Sequence, residues 1–163
     1  MSYDWSQFSQ WIKIKAPVQT IYDLWTTRRG IESWFLRMGE FSRNGDVIGD
    51  EEHVAVGDTY LWRWHGYPDS STETGEVLEA NGKDRFQFRF GEAGIVTVDV
   101  EDTGNGTSKM TITQSHIPTT EEGKQNYHVG CSTGWTFYRC NMKAVVEGGV
   151  DIRNKDNNDD MND

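Results

Sequence analysis

The chain has 163 residues, with 16 Lys and Arg against 26 Asp and Glu, a formal net charge of −10 and an aromatic content of 12%. That length suits one domain, which buries roughly 70% of its unfolded surface and needs no disulfide or metal staple. The acidic balance excludes nucleic acid and an anionic membrane surface as partners, because both require a positive footprint; it leaves a neutral or apolar ligand, or a basic protein patch.

The opening residues MSYDWSQFSQ carry Asp4 and polar side chains where a signal peptide has an apolar run. No segment reaches the length of a membrane span, so a soluble cytoplasmic protein is expected. Phe8 to Lys15 alternates, with Phe8, Ile12 and Ile14 on one side and Lys13 and Lys15 on the other, and reads as a strand. Trp11 falls on the polar side; a large aromatic left at the surface hints at a homodimer contact. Pro17 suits the first turn of a helix. Val18, Ile21, Leu24 and Trp25 follow at helical spacing, Gly30 interrupts, and Ile31 to Phe35 reads as a second short helical piece.

From Leu36 onward turn signals recur, among them Asn44-Gly45-Asp46, Gly57-Asp58, Asn81-Gly82 and Gly104-Asn105-Gly106. Between them lie period-two runs. Tyr60, Trp62 and Trp64 alternate with Leu61 and Arg63; Phe86, Phe88 and Phe90 with Gln87 and Arg89; Val96, Val98 and Val100 with Thr97 and Asp99; Met110 and Ile112 with Thr111 and Thr113. Such alternation predicts an antiparallel meander, solvated on one face and covered on the other.

Thr119-Thr120-Glu121-Glu122 after Pro118 reads as a capping box. The helix it opens reaches Glu147, with Gly148 as left-handed terminator. Tyr127, Cys131, Trp135, Tyr138, Met142 and Val145 form its less polar stripe. Gly123, Gly130 and Gly134 each cost the helix up to about 1 kcal/mol against alanine. Either the backbone approaches the sheet or a ligand closely there, or the helix starts later, near Gly130. Domain boundaries are set at 1–153, followed by an acidic polar tail over 154–163 with little to bury and expected to be mobile.

Three stretches in this order resemble the SRPBCC (START-like) superfamily, in the branch named for the activator of the 90-kDa heat-shock chaperone ATPase. Pro17 to Phe35 is similar to its opening helix pair. Gly75 to Phe90 (GEVLEANGKDRFQFRF) is similar to its central hairpin, and Gly134 to Arg153 (GWTFYRCNMKAVVEGGVDIR) to its closing helix. The resemblance implies an α+β helix-grip fold: a curved antiparallel sheet wrapping a long C-terminal helix, with two short helices after the first strand. It also implies a cavity between helix and sheet that holds a small apolar or amphipathic molecule. The closing helix departs from the Leu-rich form expected of the branch, and the chain is expected to lack the separate N-terminal domain that the full chaperone activators carry.

The inward positions predict a lining of Tyr60, Trp62, Trp64, Phe86, Phe88, Phe90, Val96, Val98, Met110 and Ile112 from the sheet. Cys131, Trp135 and Tyr138 join from the last helix, and Trp25, Trp34 and Phe35 from the front. These side chains either line a cavity or fill a dense core. Gln114 continues the inward set, where its amide binds a ligand or satisfies a backbone group. Cys131 and Cys140 lie nine positions apart on one helix, roughly 13 Å along its axis, so they do not pair. Unpaired thiols fit a reducing compartment.

No metal or other cofactor is predicted. His53, His65, His116 and His128 show no ligand spacing, and the His128–Cys131 pair lacks completing ligands. Gly130-Cys131-Ser132-Thr133-Gly134 matches a nucleophile-elbow pattern but lies within a helix. No catalytic constellation is assigned. The leading expectation is a binding protein with an aromatic-lined cavity. The alternatives are a co-chaperone-like partner of a 90-kDa heat-shock chaperone, and a cyclase or dehydratase using His65, His116 or Tyr138 as acid or base.

Overall fold

The computed structural model describes residues 2–156, so the tail expected over 154–163 lies outside the described residues from 157 onward. Its strands are β1 (Phe8–Ile14), β2 (Met38–Arg43), β3 (Asp46–Val47), β4 (Thr59–Arg63), β5 (Glu73–Ala80), β6 (Arg85–Arg89), β7 (Ile95–Gly104) and β8 (Thr107–Ser115). They form one antiparallel sheet in the order β1-β8-β7-β6-β5-β4-β2-β3. Helices α1 (Val18–Thr26) and α2 (Arg28–Glu32) follow β1, and α3 (Gly130–Val146) closes the fold. The architecture is the α+β helix grip, the sheet curving around α3. Among the described residues no helix is long and apolar enough to cross a membrane.

Period-two alternation puts one set of side chains in the core. Phe86 and Phe88 of β6, Val96, Val98 and Val100 of β7, and Met110, Ile112 and Gln114 of β8 are all buried. Register aligns them into layers: Phe86 faces Val98, which faces Ile112. The opposite parity is solvated and carries cross-strand pairs such as Arg85 with Asp99 at 2.9 Å. Trp11 is 56% exposed on β1, beneath the ammonium of Lys109.

The break between the front helices falls at Thr27, not at Gly30. Thr27 is extended, and its hydroxyl accepts from the Gly30 N–H at 3.0 Å as the cap of α2. Gly30 lies inside α2, where a Cβ would collide with the Asp23 carbonyl and the Leu24 backbone. The second helical piece therefore spans Arg28–Glu32 rather than Ile31 to Phe35. Ser33 to Phe35 turns the chain into β2, carrying Trp34 and Phe35 under the sheet.

The two starts considered for the last helix coexist. The Thr120 hydroxyl accepts from the Gly123 N–H at 3.1 Å, opening a helical turn. Gly123–Val129 is then wound as a π-helix, and regular α geometry begins at Gly130. Gly148 ends the helix at φ 83°. Beyond it the chain is tied back. Asn141 donates to the Trp34 carbonyl at 2.8 Å and accepts from the Ile152 N–H at 2.8 Å. Arg153 donates to the Leu36 carbonyl at 3.0 Å and pairs with Asp151 at 2.7 Å. β1 is a sheet edge whose outer carbonyls are covered by α3: Arg139 donates to Trp11 O and Lys143 to Lys13 O. That cover removes bonding sites a second strand would need.

Candidate functional site

One opening stands between the N-terminal half of α3, the end of β6 and the loop joining β4 to β5. Its volume is about 520 Å³. The floor is a circuit of aromatic rings. Phe35 stacks on Trp135 at 5.1 Å and meets Trp64 edge-on at 5.7 Å, while Phe90 meets Trp135 at 5.7 Å and lies parallel to Trp64 at 6.4 Å. Tyr138 adds a ring 5.0 Å from Phe35. Phe35 and Trp135 are buried, whereas Trp64, Phe90 and Tyr138 are half-buried and face the opening.

Two of the helix positions that border the opening lack side chains. Gly130 and Gly134 are four residues apart, hence on one face of α3, and both border it. A Cβ on Gly134 would meet nothing within 4 Å. Gly123 is a different case: a Cβ there would collide with the Pro118 carbonyl. One glycine is required by close packing and another leaves space.

The predicted lining separates into two groups. Phe35, Trp64, Phe90, Cys131, Trp135 and Tyr138 border the opening. Trp25, Trp34, Tyr60, Trp62, Phe86, Phe88, Val96, Val98, Met110, Ile112 and Gln114 do not; all are buried. Trp25 fills the centre, 4.7 Å from Trp34 and 5.6 Å from Trp135, with its indole N–H on the Met110 sulfur at 3.1 Å. Tyr60 stacks on Trp62 at 3.8 Å, and its hydroxyl donates to the Arg89 carbonyl at 2.6 Å. Burial, with Glu73 nearby, drives that phenol far above its ordinary value. Gln114 accepts from the Trp135 indole at 2.8 Å and donates to the Ala93 carbonyl at 2.9 Å. Both ends of the amide are spent within the protein, so it positions Trp135.

The alternation of Tyr60, Trp62 and Trp64 gave no means of telling which ring would reach the rim. The opening also takes in Tyr67, Ser70 to Glu73, Asn126 and the two helix glycines. The loop residues escaped the sequence reading because they follow no period. The glycines had a signal, their cost to the helix.

Burial pushes the Tyr138 phenol up to about 12 and also raises the Cys131 thiol. Cys131 and Cys140 are both free thiols. His128 is not poised as a base for Cys131: its ring nitrogens meet the Tyr3 hydroxyl and the Trp5 carbonyl, each at 2.9 Å. Neither His65 nor His116 borders the opening. Among the described residues no group of three or more His, Cys, Asp or Glu is arranged to hold a metal ion.

Solved structures with the same fold come from varied sources. A Staphylococcus saprophyticus protein matches at TM-score 0.69 and 18% identity, covering 90% of this chain and 96% of its own. The Aha1 dimer from Colwellia psychrerythraea matches at TM-score 0.66 and 20% identity, covering 88% and 97%. An HSP90 activator from Plasmodium falciparum matches at TM-score 0.64 and 16% identity, covering 87% and 96%. At these identities the likeness establishes the fold alone. No match was found among curated proteins. A family model does match, over residues 15–147, and by it the chain belongs to the family described as Activator of Hsp90 ATPase homolog 1-like protein.

Proposed function

We propose that the protein binds a small apolar or amphipathic molecule in the opening between α3 and the β4–β5 loop. The observation that carries this reading is the aromatic floor below Gly134, a helix position with open space where a side chain would stand. Ring faces supply apolar area, and the Tyr138 hydroxyl and Asn126 amide supply polar anchors at the rim. Trp64 and Trp135 are in the floor, so their fluorescence reports occupancy directly. The test is native mass spectrometry of the purified protein plus a tryptophan-fluorescence screen of lipids and aromatic compounds. A Gly134→Phe variant should fill the space and abolish the response while the circular-dichroism spectrum is kept. A wild-type protein that no ligand perturbs would refute the reading.

The family description and the Plasmodium relative favour a second reading, a partner of an Hsp90-type chaperone. Phe137 on α3 and Val129 just before its first residue are exposed and offer apolar contact. A pulldown with the cognate chaperone and an ATPase assay test it; an unchanged ATPase rate removes it. The Colwellia relative, solved as a dimer, motivates measuring mass in solution by light scattering. Cytoplasmic residence is proposed from the free thiols.

A further inference from the structure

The walls of the opening carry one charged side chain, Glu73, and no Lys, Arg or His. Glu73 begins β5 with its carboxylate lying over the backbone of Gly91, where a Cβ would collide with it. Its hydrogen bond is a weak one from the Thr74 N–H at 3.2 Å. Among the described residues no cation lies within ion-pair distance of it, although carboxylates elsewhere on this surface are paired, such as Asp69 with Arg37 and Glu52 with Arg43. A second carboxylate close enough to act on it is Glu92, which accepts from the Tyr127 hydroxyl at 3.2 Å. Burial raises the Glu73 carboxyl above its ordinary range; the Thr74 N–H opposes this and Glu92 adds to it. A negative charge is thus held at the edge of an aromatic basin without a counter-ion.

Ring faces carry negative quadrupole density and attract cations, most strongly when water is excluded. A carboxylate beside them adds direct attraction and a charge-assisted hydrogen bond to an N–H donor. An anionic ligand would meet Glu73, Glu92 and the ring faces, all repulsive. We infer that the opening selects an organic monocation, an amine carried on an apolar or aromatic body, with Glu73 as its counter-ion and Trp64, Phe90 and Trp135 as its bed. This rests on the binding reading above and adds the sign of the ligand's charge.

Three probes of equal shape separate the two claims: 1-naphthylmethylamine, 1-naphthylmethanol and 1-naphthoate, titrated into the wild-type protein by tryptophan fluorescence and calorimetry at fixed ionic strength. The expected order is cation tightest, by about tenfold over the alcohol, with the carboxylate weakest. Glu73→Gln should erase the amine's advantage and leave the alcohol's affinity unchanged. Glu101→Gln, the same loss of charge on an exposed strand position, should leave the order intact, which separates a local counter-ion from the general field of an acidic protein. An alcohol or carboxylate that binds as tightly as the amine overturns the inference and leaves the binding reading standing. An amine preference that survives Glu73→Gln also overturns it. If none of the probes binds at millimolar concentration, the inference falls, while the binding reading is decided by the lipid and aromatic screen above. The wild-type comparison needs no variant to fold, and Glu73→Gln is nearly isosteric.

Discussion

Glycines that look alike in sequence differ in what surrounds them, and opposite outcomes follow from single methyl groups. Gly134 sits in regular helix with open space around its missing Cβ. Gly134→Ala should therefore raise stability, by up to about 1 kcal/mol, by reducing the backbone entropy lost on folding. Gly123→Ala should lower it, because the new Cβ meets the Pro118 carbonyl and the first turn must shift. Gly75 belongs with the second kind. A Cβ there would strike the Tyr60 hydroxyl and the Arg89 carbonyl, the two ends of a core hydrogen bond. Gly75→Ala is expected to cost about 1–3 kcal/mol as an overpacked site. Thermal melts of these variants check the signs, and a Gly134→Ala protein less stable than wild type would contradict the open-space account. This also gives a physical reason for the Gly-Glu-Val strand that marks the central hairpin.

Elements were legible where one period ruled a whole segment. β6 and β8 alternate without interruption, and β7 does so over Val96 to Val100 except at Thr97, which is buried as well; the inward sets of all three are buried there. β2 was not read, because Gly39 takes a buried position of Met38–Arg43 and breaks the apolar rhythm; it packs against Ile31 and Leu36. The π-helical turn was not legible either, since an extra residue per turn has no composition of its own. The site was half legible: its rings could be named, but their division between core and rim depends on where Gly134 leaves room. The segment after α3 shows how a short polar stretch becomes structure through one side chain. Asn141 is fully buried and makes hydrogen bonds to Trp34 O, Ile152 N and Asp151. Asn141→Ala strands a buried carbonyl and releases 150–153 from α3, at an expected cost of about 2–4 kcal/mol. Hydrogen exchange should show faster exchange of the Ile152 amide, and a denaturation midpoint equal to wild type would refute the anchoring role.

The whole molecule carries many more carboxylates than cations, so acid should weaken it through the few that are specifically held. Burial opposes ionisation of Asp58, but the Arg43 fork at 2.8–2.9 Å and the Ala55 N–H outweigh it and keep its carboxyl low. Asp151 is held far below its ordinary 3.8 by Arg153 first, against burial, with Lys155 and Asn141 assisting. A carboxyl depressed in the folded state adds stability that is complete above its unfolded value and is lost as pH falls through the folded one. His65 acts in the same direction: burial, then Arg153, Lys155 and Arg37, lower it from 6.5, so protonation opposes the fold. Glu73 acts in reverse. Its raised carboxyl favours the protonated form, so its penalty grows as pH rises through its folded value, and Glu73→Gln should stabilise the protein at neutral pH. The melting temperature is thus expected to begin falling below about pH 6 as the unfolded chain takes up a proton at His65 that the fold resists, and to drop steeply below about pH 4 as the unfolded chain also protonates Asp151 and Asp58 while the fold holds them ionised. Asp151→Asn separates these contributions. It removes the ion pair at every pH, lowering the neutral-pH plateau, and it flattens the steep acid limb. Melts across the range check both features, and an unchanged acid limb in Asp151→Asn would show that the anchoring pair does not govern acid stability.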